Sequence, residues 1–128
     1  MNVLLDTVAL YRAATLPESL SAEVRALLED PANALHLSLV SAWELAIKGS
    51  LGKLALPCGV EEFFVQCARD LLATTIGLEL SAIARVAQLA SHHRDPFDRL
   101  IIAQALVGGF VIVTSDTRFE AYGVKVLW

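Results

Sequence analysis

Charge is scarce in this 128-residue chain. Asp, Glu, Lys and Arg together make up 19%, with ten basic against fourteen acidic residues and a formal net charge of −4. That balance excludes a general polybasic binder of nucleic acid or membrane surfaces. With 55% hydrophobic residues, so little charge also excludes a disordered chain. Cysteine is nearly absent: Cys58 and Cys67 stand nine apart, which matches no metal or redox spacing. A disulfide scaffold is thereby excluded, and Cys67 falls on an apolar helical stripe as a reduced core residue. Membrane-length apolar runs are missing too. The longest stretch without a charged residue, Leu100 to Ser115, has 16 residues and is broken by Gly108 and Gly109, against the ~20 that span a bilayer. The opening Met1-Asn2-Val3-Leu4-Leu5-Asp6 has no basic leader and meets an acid at position 6, so a signal peptide is not expected and the cytoplasm is the expected compartment. No repeat, low-complexity tract or linker interrupts residues 1–128, which read as a single domain.

What is present alternates. Val3-Leu4-Leu5 is a short apolar run that reads as a buried strand. A helix is expected over Thr7 to Ala14, and a second where Leu20, Val24, Leu27 and Leu28 share a face, stopping before Pro31. Ala34 to Leu37 suits a strand and Leu39 to Lys48 a helix, followed by a turn-rich connection from Gly49 to Pro57. Phe64, Cys67, Ala68 and Leu71 mark another helix, Ala73 to Ile76 a strand, and Leu80 through Ala90 a helix with Ser81 near its N-cap. Asp95 and Pro96 then suit the N-cap and first position of a helix to Val107 that is apolar nearly all round, hence deeply buried. Phe110 to Val113 has no alternation, so both its faces are covered; Val124 to Leu127 is a last strand. This order predicts an α/β fold with a mostly parallel sheet and right-handed crossovers.

Several carboxylates sit where such a core does not ordinarily carry charge. Asp6 follows the first strand, and Asp116 follows Phe110–Val113 after Thr114 and Ser115. Ligands of open α/β sheets bind beyond the carboxyl ends of the strands, so if these two strands are neighbours the acids face one crevice. Asp98 lies on the buried helix and Glu44 on the helix after the second strand. Each acid has a structural reading beside the functional one. Asp6 and Asp95 suit helix N-caps, Asp98 can pair with Asp95 as a capping pair, and Asp116 can start a turn with Thr117. Ser41 and Glu44 have capping-box spacing, and Glu44–Lys48 is a favourable i,i+4 pair. As a set, converging carboxylates in apolar surroundings repel, and no Lys or Arg adjoins Asp6 in sequence. A hard divalent cation such as Mg²⁺ relieves that repulsion, and two would bring the chain from −4 to about 0, so acidity does not exclude a phosphate substrate. Such a site suits phosphodiester hydrolysis.

At this point the chain resembles the PIN-domain ribonucleases, specifically the VapC-type toxins of bacterial toxin–antitoxin pairs. The resemblance rests on LLDT at 4–7, SAWELAIK at 41–48, HHRDPFDRLIIAQA at 92–105, VTSD at 113–116 and GVKVLW at 123–128, and it spans essentially the whole chain. It implies a three-layer α/β/α fold around a mostly parallel sheet of four to five strands. By position, Asp6, Glu44, Asp98 and Asp116 match the family's catalytic, metal-binding acids; Asp98, with Ile101, fits the D-x-x-I pattern better than Asp95, which stays an accessory or capping residue. Thr114 and Ser115 match the small hydroxyl positions beside the last acid. The implied activity is an endoribonuclease that uses one or two Mg²⁺ or Mn²⁺ ions on structured RNA. The implied partners are a VapB-like antitoxin that blocks the acidic site and a second copy in a homodimer.

Around the acids, Arg94 and Arg99 are candidates for phosphate contact or for ion pairs with Asp95 and Asp98. Arg12, Lys48 and Arg118 can ring the crevice and hold RNA by its backbone. His92 and His93 are expected near a helix C-terminus rather than in catalysis. Trp43 is expected in the core, and Tyr11 in packing rather than base stacking. Phe63, Leu71 and Leu72 are candidates for an exposed apolar face. Two other enzyme classes on this architecture fit poorly. A haloacid-dehalogenase-like phosphatase needs Asp-x-Asp where Asp6-Thr7-Val8 stands, and a phosphoacceptor receiver needs a central-strand Asp, whereas residues 31–69 contain none. A catalytically inactive scaffold that only binds a partner is the alternative, disfavoured by retention of all four acids.

Overall fold

The computed structural model describes residues 1–128. Its first strand, β1 (Asn2–Leu5), sets the plan. Val3, Leu4 and Leu5 are all fully buried, which requires apolar cover on both faces of the sheet. Val3 and Leu5 belong to one core with Leu10, Val24, Leu37, Leu45 and Phe64, while Leu4 belongs to another with Ile101, Ile102, Ile112 and Phe119. The period-2 alternation of side chains thus divides one strand between two cores.

After β1 come α1 (Thr7–Thr15), α2 (Ala22–Glu29), β2 (Ala34–Ser38), α3 (Leu39–Ser50), α4 (Val60–Asp70), β3 (Thr74–Ile76), α5 (Leu80–Val86), α6 (Pro96–Gly108), β4 (Val111–Val113) and β5 (Val126–Leu127). The sheet order is β3-β2-β1-β4-β5, and every pairing is parallel. Leu5 stands beside Leu37 on one side and Val113 on the other. The chain winds outward from β1 in both directions, so the order reverses between β1 and β4. That reversal opens a crevice at the carboxyl ends of these two strands.

Local chemistry fixes the helix starts. Asp6 accepts from Ala9 N at 2.7 Å, Ser21 from Val24 N at 3.1 Å, Ser38 from Val40 N at 3.0 Å and Asp95 from Phe97 N at 2.9 Å. Such caps contribute about 1 kcal/mol each. At its other end α6 stops where Gly109 takes φ +69°, a left-handed conformation that costs glycine little. Residues Ile101 through Ala105 are buried without a break, as an all-round apolar helix requires. The polar member of that run, Gln104, is satisfied at both ends: Ser38 Oγ donates to its Oε1 at 2.6 Å, and its Nε2 donates to Gly77 O at 3.1 Å.

Five local expectations need correction. The helix expected to reach Ala90 ends at Val86 and starts after Glu79 rather than near a Ser81 cap, because carbonyls of Val86, Leu89 and Ala90 are taken by the Arg99 guanidinium. Val124–Leu127 narrows to Val126–Leu127. The Ser41–Glu44 capping box does not form: Ser38 is the cap, and Ser41 is buried in α3, accepting from the Thr7 hydroxyl at 3.0 Å. Trp43 is not in the core but 53% exposed, its ring edge-on to Phe97 at 4.9 Å. Of the residues expected on an exposed apolar face, Phe63 is instead buried in the core, while Leu72 is exposed. Cys67 is buried and reduced, and burial pushes its thiol up to about 11.

Replacing Gln104 by Met removes both of its hydrogen bonds at similar volume and strands the Gly77 carbonyl. The expected loss is about 1–3 kcal/mol in urea unfolding, with the slope unchanged.

Candidate active site

Four elements bring their carboxylates to the crevice. Asp6 ends β1, where its backbone N–H still continues the sheet by donating to Val113 O at 3.1 Å. Asp116 follows β4 by way of Thr114 and Ser115. Glu44 comes from α3 and Asp98 from the first turn of α6, two helices that pack together.

Their electrostatics show that they share one field. Burial raises the Asp6 carboxyl to about 6; hydrogen bonds from the Thr114 hydroxyl and Ala9 N–H pull it down, while Glu44 and Asp116 push it up. Burial raises Asp98 further, to about 7, helped by the charges of Asp95, Glu44, Asp6 and Asp116. Asp116 moves the opposite way because Arg118 grips it, Nε to Oδ1 at 2.9 Å and Nη2 to Oδ2 at 2.7 Å. Glu44 is 2% exposed. Its Oε2 receives the Lys48 ammonium, whose own affinity for its proton is raised by that bond, and its Oε1 is buried with no partner.

His93 completes the cluster. It is 3% exposed, with Nε2 at 2.8 Å from Asp116 Oδ2 and 3.0 Å from Asp98 Oδ2. The ligand atoms of His93, Asp98 and Asp116 all lie within 4.8 Å of one another. Sequence reading set His93 aside as a residue near a helix C-terminus, yet α5 ends seven residues earlier. The one local signal was its spacing from the α6 cap: His93 Nδ1 accepts from Asp95 N at 3.0 Å.

The other candidates divide. Asp95 caps α6 through Phe97 N and Asp98 N and adds its charge to the cluster. Thr114 links two acids, its hydroxyl bonding Asp6 while its oxygen accepts from Asp116 N at 3.0 Å. Ser115 and Arg94 are exposed. Arg118 stays at the rim on Asp116, 60% exposed at its side chain. The Arg12 guanidinium lies 5.2 Å from the Trp128 ring centre and lines a surface groove with Lys48. The expectation that Arg99 contacts phosphate is corrected: its Nη1 and Nη2 donate to the carbonyls of Val86, Leu89, Ala90 and His93 and to the Tyr122 hydroxyl. It pairs with neither Asp95 nor Asp98 and serves as a chain clamp. His92 is exposed, edge-on to Tyr122 at 5.2 Å. Tyr11 packs, donating to Ala55 O at 2.8 Å with its ring 6.3 Å from Phe63.

The donor set fits a hard divalent cation. It is rich in carboxylate oxygens, burial raises the carboxyls of two of the acids, and one buried oxygen has no partner. By distance, His93, Asp98 and Asp116 are the group whose ligand atoms lie close enough together for one ion, while Asp6 and Glu44 act on that group through their charge.

Comparison with known proteins agrees with this geometry. The PIN domain family model matches residues 3–125. Ribonuclease VapC22 of Mycobacterium tuberculosis is 31% identical over 122 residues, covering 94% of this chain and 92% of that one. Among solved structures, VapBC2 from Rickettsia felis bound to a promoter DNA fragment superposes with a TM-score of 0.71 at 18% identity, covering 99% of this chain and 98% of that one. FitAcB from Neisseria gonorrhoeae gives 0.65 at 25% identity, covering 98% and 96%.

The raised carboxyls oppose folding of the metal-free protein at neutral pH. The unfolded Asp98 ionises near 3.8 but the folded one only near 7, so stability is full below the lower value and falls as pH rises through the upper one. Asp98→Asn, always neutral, is expected to melt several degrees above wild type in EDTA at pH 8, with the gap shrinking to roughly a third of that at pH 5 and closing only below about pH 3.8. Thermal unfolding at the two pH values checks this.

Proposed function

The chain belongs to the PIN-domain family, and from that premise we propose that it is a VapC-type toxin, an endoribonuclease that depends on Mg²⁺ or Mn²⁺. The observation that carries the reading is the convergence of Asp6, Glu44, Asp98 and Asp116 from four elements on one crevice. An inactive scaffold has no use for it, since each buried acid weakens the fold unless a cation balances it.

Asp6, Glu44, Asp98 and Asp116 would hold the cation, one or two ions on this reading. Once bound, it would supply an activated water and offset charge building on the phosphodiester. The protein contributes placement. Asp6 is fixed by the sheet and by the α1 cap, and Thr114 keeps it in register with Asp116. Lys48, held by Glu44, supplies a cation at the edge of the acids. Arg12, Arg94 and Arg118 lie farther out, where backbone phosphates of a structured RNA are held without base readout. Asp95 and Ser115 are accessory. With few basic residues, RNA affinity is expected to be weak and to fall steeply with salt.

The structural neighbours FitAcB and VapBC2 suggest the partners. A VapB-like antitoxin is expected to cover the acidic crevice, offering a basic side chain to the carboxylates, and the toxin is expected to be a homodimer. No helix is long and apolar enough to cross a membrane, and the cytoplasm, where RNA and antitoxin meet, is the proposed compartment.

Purified protein is expected to cleave RNA with Mn²⁺ or Mg²⁺ and to stop in EDTA. Asp6→Asn and Asp98→Asn should each lower the rate by about 100-fold or more while remaining folded. Wild-type rates in both variants would remove the proposal. Mapping cleavage ends in total RNA after induction, wild type against Asp6→Asn, identifies the target.

A further inference from the structure

His93 lies between two of the acids, and the state of its ring determines what it does there. Its Nδ1 accepts the Asp95 backbone N–H at 3.0 Å. A neutral imidazole that accepts at Nδ1 carries its proton on Nε2. That N–H donates to Asp116 Oδ2 at 2.8 Å, and Asp98 Oδ2, from a different element of the fold, lies 3.0 Å from the same nitrogen as a close ionic contact. An Nε2 that donates is not a metal ligand. We propose that His93 is a positioning residue: it bridges Asp98 and Asp116 through Nε2–H, holding both carboxylates at the spacing that captures a divalent cation without ligating the cation itself. This rests on the nuclease reading and assigns a part to a residue outside its four acids.

The surroundings keep the ring in place. His93 packs edge-on against Phe119, with ring centres 5.7 Å apart. Its backbone N–H donates to Tyr122 Oη at 2.7 Å, and its carbonyl accepts from Arg99 Nη1 at 3.1 Å. Tyr122 Oη donates onward to Ala90 O at 2.8 Å, and Arg99 gathers the carbonyls of Val86, Leu89 and Ala90. The segment 86–93, which has no helix or strand of its own beyond Val86, is thus tied to α6 and to the turn after β4, the two places that carry Asp98 and Asp116.

The arrangement suits its task. Asp98 and Asp116 repel, and a neutral donor between them eases the repulsion without bringing a charge that competes with the incoming cation. Both acids use Oδ2 toward the ring. Moving the ring proton to Nδ1 to free Nε2 for a metal would break the bond from Asp95 N–H, the residue that caps α6.

Mn²⁺ binding to the intact metal-free protein, by titration calorimetry and by the paramagnetic signal of free Mn²⁺, tests this with three forms. His93→Gln keeps an amide N–H at the tip; His93→Leu has none. Affinity is expected to fall about 10- to 100-fold in His93→Leu and to stay within about threefold of wild type in His93→Gln. Nitrogen-15 imidazole spectra of wild type are expected to show the Nε2–H form with Nδ1 unprotonated, before and after Mg²⁺ is added. The inference is overturned if Mg²⁺ strips the Nε2 proton, if His93→Leu binds Mn²⁺ like wild type, or if His93→Gln is as weak as a folded His93→Leu. Should His93→Leu not fold, the wild-type spectra still decide. A wild-type protein that binds no divalent cation overturns the functional reading itself, a result distinct from normal binding with an indifferent His93.

Discussion

Mutual repulsion among carboxylates in a low-polarity crevice constrains the rest of this structure. Asp6 and Glu44 are almost wholly buried, and Asp98 is mostly so. Left to themselves such groups would take up protons or swing into water. They do neither completely, because each is anchored by its backbone to an element that cannot move. β1 is packed on both faces, α6 is buried through its middle turns, and α3 lies against both α1 and α6. The two cores therefore do more than stabilise the fold. They hold an unfavourable charge arrangement in place, one that a bound cation would relieve.

The same acids serve the backbone. Asp6 caps α1, Asp95 caps α6, and Asp116 caps the short turn of Thr117–Tyr122 by accepting from Arg118 N at 3.0 Å. In the sequence, capping and ligation look like rival explanations for each residue. A carboxylate has two oxygens, and in Asp6 one of them takes the Ala9 N–H at 2.7 Å, leaving the other to face the crevice. On the proposed function the cap would orient the ligand, so that the structural role is the means to the functional one. Only for the Ser41–Glu44 pair were the readings truly exclusive. There Ser38 takes the cap and Glu44, one turn farther on, is released to the site.

Most of the architecture was legible because it depends on local pattern. A doubly covered strand shows as an unbroken apolar run, as in Val3–Leu5, and the buried α6 as a helix without a polar face. The acids were legible for the same reason, being charges at the ends of apolar segments. What was hidden depends on contacts between distant parts of the chain. Nothing in the neighbourhood of Arg99 in sequence says that its guanidinium will collect carbonyls from 86–93, and without that clamp the segment reads as more helix. The placement of His93 near a helix C-terminus goes with it, since the contact that fixes its ring is to Asp116, 23 residues on. Trp43 failed by another route: the helical stripe around it is apolar, but its own position faces outward beside Phe97.

The cations around the crevice show a division by mobility. Those in contact with the acids, Lys48 and Arg118, sit on partly or well exposed side chains, so they can leave when a metal or a phosphate takes their place. The donors deeper in include the Thr114 hydroxyl and the backbone N–H groups, which carry no charge. A fixed cation in the interior would bind the acids permanently and exclude a divalent ion by charge alone. Arg99, the one guanidinium close to this region with its donors turned to backbone carbonyls, obeys the same rule, because it stabilises the chain and pairs with no acid. On the proposed function, the site would thereby stay negative enough to draw a metal, yet ordered enough that the acids need no rearrangement when it binds. The low basic content of the whole chain is then compatible with an RNA substrate: a basic interior would defeat the metal, and the arginines at the rim would meet phosphate.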